Sequence, residues 1–283
     1  MRRIFIQCLV SLLITGTVTA KGVYRSLDNA LRHAREVKEL HITYSSLDSL
    51  PDVFDQFPNL EELVVDHNQI RTLPPSVFRC RSLKRLSLFQ NKLEVLPDEI
   101  VQLKNLEVIS LSHNQLKQLP DSICYLPRLT EISASGNYLE RLPVDLPQLK
   151  QLKKLVVNAN LIDSLDKRFA TIPRLEWLDL SNNKLMTLPR NFGLLKKLRV
   201  LYIGSNQMIN IPESIGGCTS LQELDVVYCG VLQLPHSLGN LPRLEYIYVD
   251  KRTSMFYQNS NITQWQKVYV VNSRMAAPYR SSQ

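Results

Sequence analysis

Residues 175–197 read LEWLDLSNNKLMTLPRNFGLLKK, with leucine at the first, fourth, sixth, eleventh and fourteenth places, Asn183 at the ninth and Pro189 at the fifteenth. Neither a helix period nor a strand period accounts for that spacing. The stretch recurs. Units begin at Val37, Leu60, Leu83, Leu106, Leu129, Leu152, Leu175, Leu198, Leu221 and Leu244, each 23 residues after the last and without a gap. Nine complete units end at Arg243 and a tenth opens at Leu244. A fixed period of this length signals a solenoid, in which each unit buries its apolar edge only against its neighbours.

The columns specify the local structure. The fourth and sixth places are apolar throughout, as in Leu63 and Val65 or Leu178 and Leu180. Residues two apart on a strand share a face, so these places point into the core and a short strand is expected near 40–42, 63–65, 86–88 and onward. Leucine or isoleucine holds the fourteenth place and proline follows it in all complete units but one, where Asp166 stands instead. Proline fixes φ and donates no hydrogen bond, which suits a chain turning away from the sheet. Apolar residues at the eighteenth and twenty-first places, such as Ile100 and Leu103, suit a short helical or 3₁₀ turn with one buried side.

Asn68, Asn91, Asn114, Asn137, Asn160, Asn183 and Asn206 fill the ninth place in succession, and Cys229 follows. An interior amide needs partners for its carbonyl and both protons. The backbone of its own turn and of the neighbouring turn offers them, so the column reads as a structural ladder.

These units resemble the leucine-rich repeat family, whose pattern LxxLxLxxNxLxxLPxxIxxLxx they follow. The resemblance implies an α/β repeat fold: a curved solenoid with a parallel sheet on its concave face and short helical or 3₁₀ turns on the convex face. It also implies binding of a protein or other macromolecule, usually on the concave face. The chain lacks the cysteine-rich caps typical of extracellular animal members and looks like a bacterial envelope or secreted member.

The ends divide the chain further. Residues 1–20, MRRIFIQCLVSLLITGTVTA, place Arg2 and Arg3 before an apolar stretch ending at Val18, with Ala20 set for cleavage. That is the pattern of a secretory signal peptide, and the stretch is short of the ~20 apolar residues of a membrane span. Residues 21–36 read as a helical cap, with Ser26 as N-cap and Leu27, Ala30, Leu31, Ala34 and Val37 on one face. The repeats occupy 37–249. Residues 250–271, with Trp265 and the β-prone run from Val268, are expected to cover the last turn, and 272–283 to form a loose tail.

With 44% apolar residues there is ample core, and the unbroken period argues for one elongated domain. The formal charge is +8, and Arg81, Lys84, Lys104, Arg128, Lys150, Lys153, Arg174, Lys196, Lys197 and Arg199 stand just before or second in the strands. They form a basic rim, more simply read as a solvated edge than as a polyanion site. No aromatic residues interleave with it, so no nucleic-acid partner is expected.

Cys80, Cys124, Cys218 and Cys229 remain after the signal, in places that make no disulfide framework. Catalytic motifs are absent from the sequence. His67 and His113 share a column two units apart, ~9.6 Å, too far for one metal ion. Ser87, Ser110 and Ser133 form an outward column with no base in register. We therefore expect no enzyme, no cofactor and no metal.

Candidate contact residues lie in the last units. The fifth place there reads Asp179, Tyr202, Asp225 and Tyr248, with Trp177, Glu223 and Tyr246 at the third place and Tyr228 at the eighth. Parallel rows bring them into one acidic and aromatic patch, rich in residue types that dominate binding hot spots. The expected partner of this secreted or envelope monomer is a protein or peptide. A glycan or envelope polymer is the alternative, and a spacer or adhesin without a tight ligand is a third reading.

Overall fold

The computed structural model of the chain describes residues 22–251 and 268–270. The signal pattern, Trp265 and the tail at 272–283 lie outside the described residues. Twelve strands form one sheet in chain order: β1 (Val23–Tyr24), β2 (Glu39–His41), β3 (Glu62–Val64), β4 (Arg85–Ser87), β5 (Val108–Ser110), β6 (Glu131–Ser133), β7 (Lys154–Val156), β8 (Trp177–Asp179), β9 (Val200–Tyr202), β10 (Glu223–Asp225), β11 (Tyr246–Val249) and β12 (Val268–Val270). Every pairing is parallel, and between repeats the register advances by one whole unit, Leu155 opposite Leu178 and Leu178 opposite Leu201.

The strands fall one residue earlier than the sequence places them, on the third to fifth places. The sixth place still bonds onward, with Ile42 N–H donating to the Val64 carbonyl at 2.7 Å and Val65 N–H to that of Ser87 at 2.9 Å. Fourth- and sixth-place side chains are buried from Leu40 and Ile42 through Ile247 and Val249, in one continuous core with the first-, fourteenth-, eighteenth- and twenty-first-place residues. An isolated row of three residues buries too little to persist, whereas stacked rows share the core on both sides.

The asparagine ladder is built as the sequence implies. The Asn91 Nδ2 donates to the carbonyls of Val65 in the preceding turn and of Leu88 and Phe89 in its own, while Oδ1 accepts from Ile70 N–H at 3.0 Å. Asn114, Asn137, Asn160, Asn183 and Asn206 repeat these contacts at the same offsets. Cys229 keeps only the donor half, its thiol directed at the Ile203 carbonyl at 3.1 Å.

At the eighth place, just ahead of the ladder position, the chain turns through a left-handed conformation, φ being 52° at Tyr44, 56° at His67, 53° at Gln90 and 61° at Tyr228. The side chains in this eighth place differ from unit to unit, so the sequence gives no sign of the turn. Ladder contacts on both sides hold a backbone that costs a non-glycine residue roughly 1–2 kcal/mol.

On the opposite side run 3₁₀ turns such as Asp98–Gln102 and Glu213–Gly217, and one short helix, α2 (Pro75–Phe78). Prolines set the entry, Pro97 with φ −68° and Pro235 with φ −66°. Asp166 explains its own exception. It holds φ −61° and ψ 147°, and its carboxylate accepts from Arg168 N–H at 2.8 Å, so a side-chain cap replaces the ring. Packing between turns is tightest at Gly193, where an added Cβ would lie 1.9 Å from the Ser214 carbonyl oxygen.

Ahead of the repeats, helix α1 (Leu27–Arg32) is capped by Ser26 and buries Ala30. Strand β1, which the sequence reading missed, pairs with β2 ahead of it. At the far end β12 pairs with β11, Tyr248 opposite Tyr269.

Candidate binding surface

The third and fifth places of β8 to β11 present one open-faced patch. Register pairs Asp179 with Tyr202, Tyr202 with Asp225 and Asp225 with Tyr248; alongside run Trp177, Val200, Glu223 and Tyr246. The predicted residues are thus brought together, but they do different things.

The aromatic residues of the patch are half-buried against one another. Trp177 meets Tyr202 edge to face at 5.5 Å between ring centres, and the Tyr202 hydroxyl donates to Glu223 Oε1 at 2.7 Å. Burial and that carboxylate push the Tyr202 phenol well up. Tyr246 and Tyr248 both stack on Tyr269 of β12, each at 5.8 Å. Tyr269 was not among the sequence candidates, although it is the middle residue of a β-prone run. Such edge and offset contacts hold rings in place before a ligand arrives.

The aspartates are mostly committed inward. Asp179 is only 7% exposed, and its carboxylate accepts from Ser181 N–H at 3.0 Å and Ser181 Oγ at 2.6 Å. Desolvation raises its pKa. Asp225 accepts from Val227 N–H at 2.8 Å, and burial, with Asp179 and Glu223 nearby, pushes its carboxyl up to about 6. A Cβ on Gly204 would stand 3.0 Å from the Asp225 Oδ1, so the glycine seats that carboxylate. Asp250 accepts from Tyr228 N–H at 2.7 Å. Tyr228 is half exposed at the sheet margin and outside the ring contacts described above.

The same turns carry an exposed apolar row that the sequence reading did not single out. Met186, Ile209 and Val231 are 49%, 63% and 63% exposed on three successive turns, and Ile209 N–H donates to the Met186 carbonyl at 2.8 Å. In earlier units the twelfth place holds Arg71, Glu94, Lys117, Glu140 and Asp163. The ninth unit reaches the row differently: Gly230 takes φ 84°, Leu232 turns into the core and Val231 is left outside.

The rest of the face is quieter. Ser87 donates to Asp66 at 2.6 Å, which is cross-row packing rather than an activated nucleophile. His67 and His113 are bridged by Phe89, with ring centres 5.1 and 5.2 Å away, and Tyr44 stacks on His67 at 4.1 Å. On the basic rim Lys84 pairs with Glu61 at 2.7 Å, while Arg174 and Arg199 bond Gln151 and Gln222. Cys80, Cys124, Cys218 and Cys229 are free and buried, and desolvation pushes each thiol up to about 12, which removes thiolate chemistry at neutral pH. Among the described residues no helix is long and apolar enough to cross a membrane.

Comparison with known proteins places this architecture. A leucine-rich repeat protein of Leptospira interrogans is 26% identical, with a TM-score of 0.60 over 89% of this chain and 77% of that one. An internalin of Listeria monocytogenes is 17% identical, with a TM-score of 0.64 over 88% and 78%. The plant peptide hormone receptor RGFR1, solved in complex with RGF2, is 24% identical with a TM-score of 0.65; the match spans 81% of this chain and 42% of the receptor. No curated protein sequence matches the chain. The family model for the leucine rich repeat matches residues 35–93, 81–139, 135–185 and 150–208, together more than half of the sequence. With the unbroken 23-residue period and the asparagine ladder, this establishes that the chain belongs to the leucine-rich repeat family.

Proposed function

We propose that the protein is a non-catalytic binding module that takes a protein or peptide segment on the open face of β8 to β11. One observation carries the reading: the pre-packed aromatic residues and the apolar row of Met186, Ile209 and Val231 occupy the same turns. Large rings with few rotatable bonds give contact area at low entropic cost. Glu223 and the partly buried Asp225 add negative charge, so the partner fits best as an extended segment carrying cationic and apolar side chains. The peptide-bound receptor among the structural relatives is in keeping with this use of the fold, as is the binding role common in the family.

The module works outside the cytoplasm in this reading, which rests on the signal pattern of residues 1–20. N-terminal sequencing of protein from its own host tests that part; a chain starting at Lys21 supports it, and intact Met1 on cytosolic protein ends it.

Binding is tested by selecting peptides on the purified chain from a random display library. The double variant Trp177→Ala with Tyr202→Ala, folded by circular dichroism, is expected to weaken the selected peptide by at least ~2 kcal/mol. Ser110→Arg, on the serine-rich middle rows, is expected to leave affinity unchanged. The reverse pattern moves the site up the sheet, and retention on a glycan array in place of peptides favours the carbohydrate alternative.

A further inference from the structure

At the opposite end of the sheet, Glu39, His41 and Glu62 bring one ligand atom each to a common point, all within 4.8 Å of one another. The His41 Nε2 lies 3.2 Å from Glu62 Oε1 and 3.7 Å from Glu39 Oε2. We propose that these three residues bind a zinc-class divalent cation, with the fourth position open to the face of the sheet.

Geometry is the first support. Four-coordinate zinc with bonds of about 2.0–2.1 Å sets its ligand atoms about 3.3 Å apart. The two separations from His41 bracket that value, and the two carboxylates, within 4.8 Å of each other, complete the triangle by rotating toward the imidazole. The second support is the charge arrangement, which sets two carboxylates beside one imidazole. Glu39 and Glu62 are direct partners in the parallel register of β2 and β3. Like charges directly opposite on neighbouring strands repel. Arg85 answers one oxygen of Glu62 by an ion pair to Oε2, which fixes the carboxylate and leaves Oε1 turned toward the imidazole. A proton on the His41 Nε2 makes the 3.2 Å contact to Glu62 Oε1 a hydrogen bond; with the proton on Nδ1 instead, three lone pairs converge on one point that a metal ion can take.

The ligand class follows from the donors. One imidazole nitrogen with two carboxylate oxygens suits zinc and its neighbours better than magnesium or calcium, which favour all-oxygen shells. The side chains are part-exposed, at 27% for His41, 37% for Glu39 and 16% for Glu62, so an ion has access from solvent. The site is remote in the row order from β8 to β11 and does not depend on the peptide-binding reading.

Untagged, chelator-treated full chain titrated with zinc chloride by calorimetry tests the assignment. One equivalent is expected to bind in the micromolar range, and the melting temperature is expected to rise with zinc. His41→Ala and Glu62→Gln are expected to weaken zinc at least about tenfold with the fold retained. His67→Ala with His113→Ala is expected to bind as the parent does. Two results overturn the proposal: zinc uptake of the same affinity in His41→Ala, or no uptake by the parent chain with zinc at 100-fold excess over protein. The second leaves Glu39, His41, Glu62 and Arg85 as an ion-pair cluster.

Discussion

The Tyr202 hydroxyl donates to Glu223 Oε1 of the next row at 2.7 Å, across the centre of the aromatic patch. A phenol with a carboxylate as acceptor gives up its proton only at a pH well above the ordinary tyrosine range. Spectrophotometric titration of Tyr202→Phe against the parent is therefore expected to show no missing phenolate signal until the protein unfolds in alkali. The substitution should lower stability by about 1 kcal/mol through the lost hydrogen bond. A phenolate difference near pH 10 in native protein would show that the hydroxyl is not held this way.

Asp225 makes stability depend on pH in a direction unusual for an aspartate. Folding raises its carboxyl from 3.8 to about 6, so the native state holds the proton more readily than the unfolded chain. Its favourable contribution is complete below pH 4 and is lost as pH rises through about 6, a swing of about 2–3 kcal/mol. Asp225→Asn keeps an oxygen for Val227 N–H and removes the charge. The variant is expected to be more stable than the parent at pH 8, with the advantage gone below pH 4. Parallel stability profiles of the two proteins would refute the assignment.

Gly193 and Gly230 should respond differently to alanine. A Cβ at Gly193 meets the Ser214 carbonyl oxygen, part of a backbone that cannot swing aside, whereas the space around Gly230 is open and only its φ of 84° resists. Gly193→Ala is expected to cost more than ~3 kcal/mol and Gly230→Ala about 1 kcal/mol. Chemical denaturation ranks them, and an equal loss would contradict the tight approach of adjacent turns.

Removing one rung of the amide ladder should damage two turns at once. Asn137→Ala leaves the Leu116 amide and the carbonyls of Leu111 and Ala134 without this partner inside the protein. The expected loss is about 2–4 kcal/mol, with faster amide exchange at Leu116 than in the parent.

The four buried cysteines are expected to resist a thiol reagent in native protein at pH 8 and to react together on denaturation, since burial holds each near 12. Rapid labelling of any one of them in the native state would show that its turn opens locally.

Much of this architecture was legible because it depends on period. Leucine columns at fixed offsets specify the sheet and the 3₁₀ turns, and the asparagine column specifies the ladder, without any long-range information. Strand β1 was not legible, since Val23 and Tyr24 carry no repeat and gain their place only by pairing with β2. Register sets the candidate residues of β8 to β11 in neighbouring rows, but their chemistry was only partly readable. Asp179 stands in an outward column by count, yet Ser181 draws its carboxylate in, a contact two residues away that no column predicts. The shift at Gly230 that exposes Val231 likewise needs the backbone angle, and the Glu39, His41 and Glu62 cluster needs two units laid side by side.

The unbroken register also turns the face into a scale with fixed graduations. Rows recur every ~4.8 Å, while an extended segment laid along the stack advances ~3.4 Å per residue. Two row steps and three residue steps both come to about 10 Å, but there the segment's side chain points away from the sheet; three row steps and four residue steps, about 14 Å, bring a side chain on the same side back over a row. Side chains at positions i and i+4 of such a segment would fall over Trp177 in β8 and Tyr246 in β11, with those between displaced from the rows or turned away. Inserting one residue between the two anchors would move the second off its row, so a segment bound there would be read by the distance between its side chains as well as by their kind.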